Sequence, residues 1–217
     1  MRDVVWFDNA SVAAALEEAR ALRRPLLVDF WSPTCLGCAK LFALTYQEPS
    51  VRDFLAETFV CIKFNTKEPS EWFRKLNGTF AHQWHPDIAV LDARLTDLRR
   101  VIGYLPPEDF LAQLQLGLGL WHLHHARPGD ALALFDAIAA ERSETGAAPE
   151  ALYWAGVAAY RAGGGLAALE VKWTTLRERY GRSDWALRAD CLDVTIPKEG
   201  FRPDDATSVR VATFARS

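Results

Sequence analysis

The chain has 217 residues, half of them apolar, which is enough for a substantial core in one large domain or two small ones. Its net charge of −3 comes from interspersed acids and bases, which excludes the basic footprint of a nucleic-acid binder and a basic stripe for a membrane surface. Four cysteines, Cys35, Cys38, Cys61 and Cys191, are too few and too unevenly spaced for a secreted disulfide framework.

The first residues carry no basic segment followed by an apolar stretch, and no run approaches transmembrane length, so the chain reads as globular and cytoplasmic. From Ser11 to Arg23 the apolar positions Val12, Ala15, Leu16, Ala19 and Leu22 recur at helical spacing, ahead of Pro25. "LLVDFW" (Leu26 to Trp31) is a short apolar run suited to a strand buried on both faces, and "CAKLFALTY" returns to a helical period. A short helix is expected over "SVRDFLAET", a strand over Phe59 to Asn65, and another helix over "PSEWFRKLNG", with Ser70 as cap and Gly78 as stop. "IAVLD" and "LRRVIG" read as a hairpin, and Pro106-Pro107 opens a helix at Glu108. This alternation predicts an α/β domain, a mixed sheet with helices on both faces.

After about Gln113 the sequence becomes rich in Ala and Leu at helical spacing, without a convincing strand. Shifted against itself by 37 residues, it places Gly119 on Gly156, Ala131 on Ala168 and Leu132 on Leu169. In each copy the glycine lets two helices approach and the alanine sits where the return helix crosses. "PEALYWAGVAAYRAGGGLAAL" and "PGDALALFDAI" resemble the tetratricopeptide repeat, whose period is about 34 residues. Two copies are few for a free-standing solenoid, so they need a cap from the first domain, from the helix near Leu187, or from another subunit. The expected division is therefore 1–115 for the α/β domain, 116–195 for an all-α domain of helical hairpins, and 196–217 for a tail or edge strand.

The pair Cys35 and Cys38 stands at the turn between a buried strand and a helix. By residue type alone it could be a redox centre, half of a metal site, or two buried thiols; "HQWH" supplies His82 and His85 should zinc be the answer. At a first helical turn the sulfur of Cys35 would meet unpaired N–H groups and the positive end of the helix dipole, which favours a thiolate. Cys38, one turn on, would be the more buried partner.

Together with these positions, "LLVDFWSPTCLGC", "IKFN" and "WHPDIAVLD" resemble the thioredoxin superfamily. The resemblance covers residues 1 to about 115 and implies the thioredoxin fold and thiol-disulfide oxidoreductase activity, as a protein disulfide reductase in a reducing cytoplasm. It implies Cys35 as nucleophile, Cys38 as resolving thiol, Asp29 as a buried proton acceptor and Lys63 as the residue tuning it. It also implies a substrate groove of Trp31, Thr34, His85, Pro86 and Gly103, with Pro86 in the cis form. The only redox group expected is the reversible Cys35-Cys38 disulfide, with no metal or other cofactor. The partners implied are a protein or peptide disulfide and an electron donor such as a thioredoxin-reductase-type system, with no nucleic acid and no membrane.

The chain departs from the family pattern at Thr34, at Leu36-Gly37 and at His85. Protonated, His85 would stabilise the Cys35 thiolate, and Gly37 should loosen the first turn of the helix. These departures motivate a rival of another class, a non-catalytic binding, scaffold or co-chaperone protein whose cysteines are idle or hold zinc. Cys61 is expected to be an inert buried thiol and Cys191 a helix-packing residue. The histidines of "HLHH" at 122–125 are expected at the surface or between helices, and Trp154, Trp173 and Trp185 in the core of the helical half.

Overall fold

A computed structural model describes residues 3–78, 82–198, 200–204 and 209–211. A two-residue strand, β1 (Trp6–Phe7), precedes a turn in which the Ser11 hydroxyl donates to the Asp8 carboxylate at 2.6 Å. α1 (Val12–Leu22) then turns Val12, Ala15, Leu16 and Ala19 into the core and stops where Arg23 adopts left-handed backbone ahead of Pro25. β2 (Leu26–Trp31) is buried from Leu26 through Phe30, so alternate side chains serve opposite faces. α2 (Leu36–Ala43) and one tight turn at Thr45–Gln47 lead to α3 (Pro49–Thr58), where Pro49 occupies the first helical position and its missing N–H leaves nothing unpaired. β3 (Val60–Asn65) and α4 (Trp72–Asn77) follow; the Ser70 hydroxyl accepts the N–H of Trp72 and Gly78 ends α4 at φ 60°. β4 (Asp87–Leu91) and β5 (Asp97–Ile102) form the expected hairpin, its turn closed by Asp92 Oδ1 accepting the N–H groups of Arg94 and Thr96, both at 2.8 Å.

The five strands order as β1-β3-β2-β4-β5, with β1, β3 and β2 parallel and β4 and β5 antiparallel. Leu26, Val28 and Phe30 face α1, while Leu27, Ile88 and Val90 face α2 and α3, so the mixed sheet is covered on both sides. Register places Asp29 beside Lys63 on one neighbouring strand and Ile88 on the other, at the centre of the sheet.

The remainder is helical: α5 (Pro107–His124), α6 (Pro128–Glu141), α7 (Ala148–Ala159), α8 (Gly165–Tyr180) and α9 (Asp184–Arg188). α5 belongs to both halves. Its Phe110, Leu111 and Leu114 complete the core beneath the sheet, and its Ala112, Leu116 and Leu123 begin the core shared with α6 and α7. The two glycines of the repeat have matching roles. A methyl at Gly119 would overlap the Phe135 ring of α6, and one at Gly156 would lie 2.6 Å from the Trp173 ring of α8. Of the aligned alanines, Ala131 is fully buried but Ala168 is half-exposed, because α7 and α8 are joined by a wide turn with Gly163 and Gly165 at positive φ. The stack is closed by α9, whose Ala186 and flanking Ala189 pack on Leu152, Trp173 and Leu176, while Leu187 itself stays exposed. Trp173 is buried, and Trp154 and Trp185 gather half-buried around Tyr153.

A small antiparallel pair, β6 (Val194–Thr195) and β7 (Arg210–Val211), stands apart from the main sheet, so β7 is no edge strand of it; residues 199, 205–208 and 212–217 of the expected tail lie outside the described residues. No described helix is long and apolar enough to cross a membrane.

Candidate active site

The buried strand β2 must deliver its chain to α2 across the top of the sheet, and Cys35 is the residue at which the helix begins. Its backbone is extended, its N–H donates to the Ser32 carbonyl at 3.1 Å, and its sulfur accepts the N–H of Cys38 at 3.0 Å. The sulfur therefore occupies the capping position where an anion meets both an unpaired donor and the helix dipole. Cys35 and Cys38 are joined as a disulfide with their Cα atoms 5.2 Å apart. Cys35 is partly exposed and Cys38 is 1% exposed, the asymmetry a nucleophile and a resolving thiol require.

Gly37, between them, has a role that the sequence does not reveal. A methyl there would lie 2.9 Å from Pro86 Cδ, so the loop before β4 approaches α2 as closely as it does only because position 37 lacks a side chain. This close approach is a second consequence of the glycine, beside its effect on the first turn of the helix. The His85–Pro86 peptide is cis, and the Pro86 carbonyl accepts the N–H of Gly103 at 2.8 Å, with Gly103 at φ 93°. Thr34, Cys35, His85, Pro86 and Gly103 line one cleft, to which Trp84, Tyr104 and Lys67 add side chains that sequence reasoning did not single out. Trp84 and Leu36 are among the most exposed large apolar residues described and stand on this cleft. Trp31 does not line it: its ring packs against Phe42, and its carbonyl accepts from the N–H and hydroxyl of Thr66.

On β2, the strand that leads to Cys35, Asp29 is fully buried. Loss of solvent pushes its carboxyl up from 3.8 to about 7, against the opposing pull of a hydrogen bond from the Tyr46 hydroxyl (3.0 Å to Oδ2) and of the Lys63 charge. Oδ1 has no partner among the described residues. Lys63 does not bond the carboxylate; its ammonium lies 4.4 Å from the Trp6 ring centre and 4.6 Å from that of Phe42. Burial holds the Lys63 pKa below its ordinary value. The sequence does not reveal Tyr46, Trp6 and Phe42, because nothing in their spacing marks them as neighbours of Asp29 or Lys63.

A second polar cluster backs the cleft. His85 Nε2 is 2.8 Å from the Thr66 hydroxyl and 3.1 Å from His82 Nε2, and His82 Nδ1 is 3.0 Å from Asp87 Oδ2. Arg100 donates to the same Asp87 oxygen at 2.9 Å and to Asp97 at 2.6 Å. Burial, then His82 and Lys67, hold the His85 pKa below 6.5, so the protonated ring that would stabilise the Cys35 thiolate is disfavoured beside the disulfide. The two histidines that could have joined the cysteines around zinc are paired with each other, and no group of three or more His, Cys, Asp or Glu disposed to hold a metal is found among the described residues.

The other candidates are placed as follows. Cys61 is buried in β3 with its thiol pushed far up by desolvation, whereas Cys191 lies beyond α9 and is exposed instead of buried in a helix interface. His124 lies 3.3 Å from Asp92, and His125 contacts the Trp121 carbonyl at 2.9 Å, so the histidines of "HLHH" stand at the junction of α5 with the hairpin turn.

Residues 12–117 match the family profile described as a thioredoxin-like domain, and this segment, with its Cys-x-x-Cys motif, is one. Among curated proteins it is similar to the thiol:disulfide interchange protein DsbD of Ralstonia nicotianae, 30% identical over 111 residues. That alignment takes in 51% of this chain and 18% of the relative, so the chain spans less than a fifth of the relative's length. Among solved structures, a thioredoxin from Thermus thermophilus is 22% identical with a TM-score of 0.45, over 52% of this chain and 86% of that one. The C-terminal domain of Neisseria meningitidis DsbD in its oxidised form is 16% identical with a TM-score of 0.40, over 49% and 94%.

Proposed function

We propose that the protein is a thiol-disulfide oxidoreductase acting on protein or peptide disulfides, with Cys35 as nucleophile and Cys38 as resolving thiol. The observation that carries this reading is the capped, partly exposed sulfur of Cys35 bonded to a buried Cys38, reached from the strand that carries Asp29, a buried carboxyl whose pKa is raised to about 7. In the reduced protein the Cys35 thiolate attacks one sulfur of the substrate disulfide, forming a mixed disulfide and releasing one substrate thiolate. Asp29 then takes the proton of Cys38, whose thiolate attacks Cys35 and releases the second substrate sulfur. The substrate gains two electrons and the cysteine pair loses them. A carboxyl near 7 is suited to this exchange, since it can accept and return a proton at working pH.

The backbone at His85 and Pro86 lines the cleft with Cys35 and can pair with an extended substrate, and exposed Trp84 and Leu36 offer apolar contact in the same cleft. The helical half, with two glycine-spaced helix pairs of tetratricopeptide-like character, recruits or positions the protein partner. In a reducing cytoplasm, supplied by a donor such as a thioredoxin-reductase-type system, the centre runs as a reductase.

The reduced protein should reduce insulin disulfides, and Cys35→Ser should abolish turnover; a wild-type protein as inert as this variant overturns the assignment. Cys38→Ser in the full chain should accumulate mixed disulfides with its substrates, identified by mass spectrometry.

A further inference from the structure

With both imidazoles neutral, one arrangement of ring protons satisfies the hydrogen bonds behind the cleft. Thr66 gives its hydroxyl proton to the Trp31 carbonyl at 3.2 Å and accepts from His85. His82 Nδ1 faces the Asp87 carboxylate and must donate, which leaves His82 Nε2 as an acceptor in the neutral ring. Both demands are met by one proton on His85 Nε2, shared between Thr66 and His82. The basic nitrogen of His85 is then Nδ1, which has no hydrogen-bond partner among the described residues, on a side chain lining the cleft with Cys35. Asp87 is fully buried at the other end of the chain and is balanced by Arg100.

We propose that Asp87, His82 and His85 form a proton relay that makes His85 Nδ1 the acceptor for the Cys35 thiol. The inference rests on the redox reading above and assigns its first proton step. As the Cys35 S–H bond breaks, the sulfur keeps the electron pair and the proton moves to Nδ1. The imidazolium so formed donates through Nε2–H to His82, whose Nδ1–H donates to the Asp87 carboxylate, so the positive charge faces a buried negative one through two hydrogen bonds. When the thiolate attacks the substrate, His85 returns that proton to the departing substrate sulfur. His82 and Asp87 act through His85 and are positioning residues.

The charged and titratable groups around His85 set the sense of its response. Lys67 from the loop after β3 and the buried surroundings disfavour the cation, Asp87 favours it, and Lys40 is engaged with the Tyr104 ring at 4.4 Å. Beside a disulfide the ring is neutral; beside a nascent thiolate the missing negative charge is supplied and the cation becomes stable.

The test follows iodoacetamide alkylation of Cys35 in the reduced full-length protein against pH, read from the Cys35 peptide by mass spectrometry so that Cys191 does not interfere. His85→Gln, which keeps a polar side chain of similar size, should raise the inflection by roughly one unit or more, the effect of removing one adjacent opposite charge. His82→Gln, which spares the Asp87–Arg100 pair, should raise it by a smaller amount in the same direction. Profiles of both variants that overlay the wild type, in proteins that still reduce insulin, overturn the relay and leave the oxidoreductase reading intact. A shifted profile in a protein that cannot reduce insulin supports the relay and removes the reading on which its role in turnover rests.

Discussion

Two fully buried carboxylates lie on neighbouring strands of this sheet, and the protein treats them in opposite ways. Asp29 on β2 has one hydrogen bond, from Tyr46, and a lysine held off by aromatic rings, so desolvation dominates and its carboxyl rises to about 7. Asp87 on β4 meets a guanidinium at 2.9 Å and an imidazole at 3.0 Å. Equal burial thus yields a carboxyl raised to about 7 in one place and an ion-paired one in the other, and the difference lies in donors counted within hydrogen-bonding distance.

The comparison can be broken most severely on the Asp87 side. Arg100→Leu leaves a buried carboxylate without its guanidinium and should cost about 3–5 kcal/mol in urea unfolding at pH 7. On the Asp29 side the opposite outcome is expected. Because the native carboxyl holds its proton more tightly than the unfolded one, stability falls as pH rises from 3.8 to about 7 and the cost is complete above that. Asp29→Asn should therefore be more stable than wild type above pH 7, by up to about 4 kcal/mol, with the gap closing below pH 4, while resolution of the mixed disulfide slows. A variant with no stability gain at pH 8 would show that Asp29 is better solvated than its burial implies. The smallest change sharpens the contrast: Tyr46→Phe removes the one donor to Asp29, costing about 1–2 kcal/mol and shifting the resolving step to higher pH in stopped-flow measurements.

How far these features are legible in the sequence depends on range. β2, α1, the hairpin and the start of α5 follow from local periodicity and from turn residues, and their boundaries agree to within a residue or two. Cys35, Cys38, Asp29 and Lys63 are visible because a strand, a turn and a register relation place them. Tyr46 and the His82–Asp87–Arg100 chain are not visible, since each contact joins segments whose approach is decided by packing. The packing role of Gly37 is hidden for the same reason: the constraint comes from Pro86, 49 positions away. In the helical half the shift of 37 residues finds Gly119 and Gly156, whose roles do match, yet it pairs Ala131 with an alanine in a different environment, because the glycines at 163–165, where α8 begins, change the geometry of the second return. Cys191 shows that an apolar residue type near a helix need not pack on one.

α5 gives the molecule its unity. One helical rod has its first turns embedded under the sheet and its last turns in the helical core, and Gly117 rides so closely over Val90 that a methyl there would come within 2.8 Å. Arg99 of β5 reaches across to Glu150 of α7 at 2.8 Å and clamps the same junction. The redox centre and the helical stack therefore share a fixed axle rather than a tether: a partner held by the helices would be presented to Cys35 at a set distance and angle, and geometry, not chain flexibility, would select which disulfide arrives at the sulfur.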